Sequence, residues 1–186
     1  IRMSKMAAVI GRHAGMPEEE YSLLLNASPM HDIGKIGIPD SILLKPGKLA
    51  PDEWTTMKTH TVIGADILAH GDSDLLRMAH EIALSHHEKY DGSGYPKGLG
   101  GEDIPLVGRI TALADLFDAL TSERPYKKKW PLNETLAYIR DHSGTQFDPK
   151  LVEVFFNCID ELIEIKDNYA EPTRQSLNQN CLGRSS

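Results

Sequence analysis

Apolar residues recur every three or four positions along nearly the whole chain, and no stretch alternates as a half-buried strand does. The pattern predicts a first helix over 1–14. A second starts after Pro17, where Glu18, Glu19 and Glu20 place negative charge in the first turn, as the helix dipole favours. It runs toward His31. The stretch "KPGKLAPDEW" reads as a turn and then a new start at Pro51, with a helix continuing to about 70. Ser73 is placed to cap a helix that reaches 87. Glycines break the period over 90–105, which predicts a loop. The helix expected over 107–122 is apolar nearly all round, as a buried helix is. Two more follow, one from 132 and one over 148–166. Residues 167–186 are polar and aperiodic and read as a flexible tail. The expected fold is all-α, a single-domain helical bundle over 1–166.

Composition narrows this picture. A chain of 186 residues with 40% hydrophobic content can bury one core. With 25% charged residues it is not a disordered composition. The net charge of -7 argues against DNA as a partner, but leaves room for a small anion at a local basic cluster. Cys158 and Cys181 do not make a disulfide framework, so the reading is a reducing cytoplasm, with Cys158 a core residue. No run approaches the roughly 18 apolar residues of a membrane span, and no signal peptide is visible. The chain opens at Ile1, already in helical pattern and without methionine, which reads as a fragment lacking its beginning.

Several polar residues fall on apolar faces. Met57, His60, Gly64 and Ile67 share one stripe. Leu75, Ala79, Ile82 and Ala83 define an inner face that His86 and His87 continue. One polar stripe, Thr111, Asp115, Asp118 and Ser122, interrupts the apolar helix. The stretch "SPMHDIGKIGIPD" sets His31 against Asp32, with Lys35 three residues on and Gly34, Gly37 and Pro39 around it. Each feature alone has a structural explanation: a hydrogen-bonded core histidine, a helix-capping pair, an aspartate paired with arginine. Together, His31 with Asp32, His60, His86 with His87, and Asp115 are better explained by one metal centre. They outnumber the ligands of a single tetrahedral ion, so two or more ions are expected, with a carboxylate such as Asp32 bridging. Imidazole with carboxylate suits iron, manganese or zinc. His13, His70, His80 and His142 lack such company and read as structural or surface residues.

The blocks "HDIGKIGIPD", "HHEKYDGSGYP" and "LADLFDALTSERPYKKKW", in this order, closely resemble the HD-GYP domain, a branch of the HD metal-dependent phosphohydrolases. The resemblance covers about 1–156. It implies hydrolysis of the phosphodiester bonds of cyclic di-GMP, to pGpG or GMP, with two or three divalent ions. Iron or manganese is expected, with zinc or nickel as alternatives. It also implies an output domain of a bacterial response regulator or sensor, whose receiver or sensor domain lies outside this chain. GGDEF-domain proteins are implied partners, and a homodimer is compatible with it. By the same resemblance, His31, Asp32, His60, His86, His87 and Asp115 are metal ligands. Asp32 and Lys35 are catalytic, and Lys35 lies by the scissile phosphate. Arg124 and Lys127 hold ligand phosphates. Gly94, Tyr95 and Pro96 are the GYP triplet, with Tyr95 lining the pocket or stacking on a guanine. Family members draw further ligands from a glutamate and a histidine one helical turn apart, the histidine of which would immediately precede Ile1. Their absence from this chain motivates an alternative, a non-catalytic cyclic di-GMP sensor or GGDEF-interaction module in this truncated form.

Overall fold

A computed structural model describes residues 1–123 and 129–169. Ten α-helices carry the fold among the described residues: α1 (Arg2–His13), α2 (Glu18–Ala27), α3 (Asp40–Leu43), α4 (Pro51–Lys58), α5 (His60–Leu68), α6 (Asp74–Ser85), α7 (Leu106–Thr121), α8 (Leu132–Asp141), α9 (Pro149–Asn157) and α10 (Ile159–Asn168). Short 3-10 turns at Ser28–Met30, Ile33–Gly37 and Gly101–Asp103 complete the order. No strand forms among the described residues, which contain only two isolated bridges, Asp91 with Gly100 and Ser143 with Phe147. The all-α expectation therefore holds.

The amphipathic period explains the core. α1 packs on α2, α7, α9 and α10, and α6 packs on α2, α5 and α7. Met6, Ile10, Leu24, Ile82, Ile110, Leu113, Phe117, Phe155 and Leu162 are fully buried between them. Phe117 of α7 and Phe155 of α9 meet edge to face, with centroids 5.1 Å apart. Ser73 caps α6 as expected, its hydroxyl accepting from the Leu76 amide. Cys158 is buried, as expected, and burial pushes its thiol up to about 11.

Three expectations are corrected. The helix predicted over 51–70 is two helices with a turn at Thr59. Thr59 Oγ1 donates to the Thr56 carbonyl at 2.7 Å, His60 Nδ1 to that of Met57 at 2.7 Å, and Thr61 Oγ1 to that of Lys58 at 3.0 Å. Three successive carbonyls thus serve side chains three residues on, and the ladder bends. The bend shifts the buried stripe to His60, Thr61, Gly64, Ala65 and Leu68. Ile67, expected on that stripe, is therefore exposed. The last predicted helix likewise divides at Cys158, where φ is -111° and ψ is 16°, into α9 and α10. The expected flexible tail falls, from residue 170 onward, outside the described residues.

Candidate metal centre

The candidate ligands come from four places in the chain. α2 ends at Ala27, and Pro29 opens a 3-10 turn that tightens the path into His31 and Asp32. The turn Ile33–Gly37 then packs on α5. A Cβ at Gly34 would lie 1.9 Å from the His60 carbonyl oxygen and 2.4 Å from the Gly64 amide nitrogen. Only glycine permits this approach, which brings Asp32 beside His60. α6 ends at Ser85 and releases His86 and His87 at its C-terminus. α7 contributes Asp115 from its polar stripe.

These side chains converge. His31 Nε2 lies 3.2 Å from Asp32 Oδ2 and 3.8 Å from Asp115 Oδ1. His60 Nε2 and His86 Nε2 lie 3.4 and 3.8 Å from Asp32 Oδ1. Asp32, His60, His86 and His87 each offer a ligand atom, all within 4.8 Å of one another. Thus Asp32 is central, and His31 and Asp115 form its flank.

Three of the histidines share one device. His31 Nδ1 donates to the Ser28 carbonyl at 2.8 Å, His60 Nδ1 to that of Met57, and His86 Nδ1 to those of Ile82 and Ala83 at 3.0 and 3.1 Å. A carbonyl only accepts, so Nδ1 carries the proton, and at His60 and His86 Nε2 keeps its lone pair, aimed inward. Asp32 Oδ1, His60 Nε2 and His86 Nε2 are buried without a hydrogen-bond partner. Acceptors facing acceptors have no proton to share, and a cation satisfies all three. The residues present therefore fit a divalent metal ion.

Electrostatics agree with this assignment. Burial lowers the pKa of His60, lowers that of His86 strongly, and takes His87 down to about 3, so these imidazoles are neutral near pH 7. Burial would also lower His31, but the hydrogen bond and charge of Asp32, with the charge of Asp115, outweigh it and raise His31. Burial alone would raise Asp32; His31 and Lys35 overcome it and hold the carboxyl well below the usual carboxylate range. Lys35 Nζ donates to Asp32 Oδ2 at 2.6 Å from a partly exposed position.

The glycine-rich loop closes one side. Tyr95 stacks on His87 with centroids 4.8 Å apart and planes inclined by 27°, and its amide donates to the His87 carbonyl at 3.2 Å. A Cβ at Gly94 would lie 2.3 Å from the Lys89 amide nitrogen, so this turn needs glycine. The Tyr95–Pro96 peptide is cis. Sequence reasoning missed Glu88, a buried carboxylate that accepts from the Lys97 and Leu99 amides at 2.7 and 3.0 Å. A charged residue next to two inward histidines was the available signal. Sequence reasoning also missed Trp54 and Lys58 of α4, both of which approach the Tyr95 ring.

Other polar residues have structural roles. Arg2 pairs with Asp118 and donates to Ser122 Oγ, so this half of the polar stripe has its partner on α1. Thr111 donates to the Val107 carbonyl. His80 is hydrogen-bonded to the Ala65 carbonyl, His13 pairs with Glu161, and His142 stacks on Tyr138. Arg124 and Lys127 lie outside the described residues. Among the described residues, no helix is long and apolar enough to cross a membrane.

A family model described as an HD domain matches residues 1–151. The chain is 48% identical over 164 residues to the cyclic di-GMP phosphodiesterase response regulator RpfG of Xanthomonas campestris pv. campestris, covering 88% of this chain and 43% of that protein. It is 47% identical over 164 residues to a cyclic di-GMP phosphodiesterase of Thermotoga maritima, covering 88% and 45%. To 3'3'-cGAMP-specific phosphodiesterase 2 of Vibrio cholerae it is 49% identical over 152 residues, covering 82% and 29%. Among solved structures, the cyclic GMP-AMP specific phosphodiesterase V-cGAP3 of V. cholerae superposes with a TM-score of 0.62, at 23% identity, over 100% of this chain and 48% of that one, a likeness of fold. The chain spans less than half the length of these relatives. With the matched family model and these identities, the chain belongs to the HD domain family.

Proposed function

We propose that this chain is the catalytic domain of a phosphodiesterase that hydrolyses cyclic di-GMP to pGpG or GMP. The observation that carries this reading is the convergence of unpartnered acceptors at Asp32, His60 and His86 beside the GYP loop. Relatives at 47–48% identity bearing that activity in their names support it. Bound divalent ions supply a water ionised near neutral pH and neutralise charge on the diester. His60, His86 and His87, held neutral by burial, keep lone pairs for the ions; Asp32 stays ionised. His31 and Asp115 extend the ligand set, which suits two or three ions. Iron or manganese fits imidazole with carboxylate, and zinc or nickel is chemically allowed.

Lys35 holds Asp32 and, being partly exposed, can turn to a phosphate oxygen in the transition state. Arg124 and Lys127 have the chemistry to hold the second phosphate, Arg124 in bidentate fashion. GGDEF-domain proteins and an upstream receiver or sensor domain are the partners this reading implies. A specific observation favours one second reading on substrate. One relative at 49% identity carries a 3'3'-cGAMP-specific name, so a mixed cyclic dinucleotide is the competing substrate.

The deciding experiment measures metal content and turnover of cyclic di-GMP after loading with iron or manganese, for the parent and for Asp32→Ala. We expect bound metal and turnover in the parent, and a loss of both of at least a hundredfold in the variant. Turnover that survives Asp32→Ala would sink the metal-centred reading.

A further inference from the structure

Trp54 and Lys58 lie outside the metal cluster, yet both face Tyr95. Trp54 is 47% exposed, and its ring meets that of Tyr95 edge-on at 6.2 Å. Lys58, one turn further along α4, places Nζ 5.8 Å from the centroid of the same ring. No carboxylate pairs with Lys58 among the described residues. Tyr95 also stacks on His87. Ring contacts therefore link His87 of the cluster to Tyr95 and Tyr95 to the half-exposed Trp54, with the Lys58 ammonium beside the Tyr95 ring.

This group has the chemistry of a nucleobase site. In a nucleotide the base lies one ribose away from its phosphate, and Trp54 lies two ring contacts from the cluster. An exposed indole stacks on any base. An ammonium is more selective. Guanine offers it O6 and N7 as adjacent acceptors, whereas adenine presents an N6 donor beside N7.

We propose that Trp54 and Lys58, with Tyr95, form a nucleobase subsite in which Trp54 stacks one base of a cyclic dinucleotide and Lys58 selects guanine over adenine. This assignment rests on the phosphodiesterase reading above, since a phosphodiester at the cluster sets the distance to the base.

The test uses the manganese-loaded full chain. The sequence has two tryptophans, so Trp130→Phe leaves Trp54 as the sole emitter. Rapid mixing with cyclic di-GMP should quench Trp54 emission saturably before turnover, and inorganic phosphate should not. Trp54→Ala should raise KM for cyclic di-GMP about tenfold with a far smaller change in kcat. Trp54→Phe, which keeps a stacking face, should recover most of the loss. Lys58→Met should lower the preference for cyclic di-GMP over cyclic GMP-AMP about tenfold.

Silent Trp54 emission in a protein that turns over cyclic di-GMP overturns the subsite alone. So does a fall in kcat at unchanged KM in Trp54→Ala, the mark of a residue that only braces the loop. A parent with no turnover of any cyclic dinucleotide overturns the phosphodiesterase reading. If its Trp54 emission is also silent, the subsite falls with it; if emission is still quenched, the subsite stands as a binding site.

Discussion

At the scale of single residues, two positions outside the ligand cluster shape its surroundings. Gly34 allows the approach of Asp32 to His60. Gly34→Ala places a methyl group against backbone atoms that cannot swing aside. We expect a loss of about 3 kcal/mol in urea denaturation, at the upper end of overpacking costs. Glu88 acts on the loop. Glu88→Ala leaves two amides without their acceptor, at about 1–3 kcal/mol each. Amide exchange at Lys97 and Leu99 should accelerate, and bound metal should persist; exchange that stays at the parent rate would show that the carboxylate does not hold the loop. The residues on either side were readable to different degrees. His60 and His86 stood out because a polar side chain on an apolar face is conspicuous. Glu88 did not, because its partners are amides of a loop whose path depends on glycines.

At the scale of elements, a buried ion pair joins the helices to the loop. Arg109 of α7 pairs with Asp148, which also caps α9 by accepting from the Lys150 amide at 2.9 Å. The 142–148 turn before it accepts from Tyr90 and Asp91 through the carbonyls of Gln146 and Thr145. Asp148→Ala leaves the Arg109 guanidinium largely buried without its anion, at a cost of about 3–5 kcal/mol. Thermal unfolding should show this loss, and proteolysis within 90–100 should quicken; a variant as resistant as the parent would uncouple the turn from the loop. Element faces were legible in the sequence wherever one helix ran straight. The inner face of α6 read correctly. Ile67 was placed wrongly because the bend at Thr59 arises from side chains capturing carbonyls, which a fixed period does not contain. The loop was legible as a loop, but its stacking on His87 was not, since that contact is made across the fold.

At the scale of the molecule, protonation opposes folding in acid. His60, His86 and His87 have folded pKa values below their unfolded ones. The unfolded chain therefore binds more protons below pH ~6.5. Their contribution is lost as pH falls from there toward about 3. Asp32, held low, adds to the loss as pH falls further. His31 has the opposite sign: its folded pKa is raised, so it contributes below its unfolded pKa and loses that contribution as pH rises through the folded value. Three groups outweigh one. The metal-free melting temperature should fall steadily between about pH 6.5 and 3, and a flat profile would contradict the neutral-histidine assignment. Added manganese should stabilise the fold by about 2.7 kcal/mol at a hundredfold excess over Kd, raising the melting temperature, and a chelator should reverse the gain.

Arg2 does more than pair with Asp118. Its guanidinium also donates to the Tyr169 carbonyl at 3.3 Å, and Lys5 lies over the Tyr169 ring at 4.6 Å. The first turn of α1 and the end of α10 thus meet at one point, beside the end of α7. The order in which the helices are strung is then separable from the shape they build. A circular permutant that joins residue 169 to residue 1 through a short glycine-serine linker, and opens at the exposed turn between His70 and Gly71, should fold and bind manganese as the parent does. Every candidate ligand keeps its neighbours in such a chain, although His86 and His87 would now precede His31 in sequence.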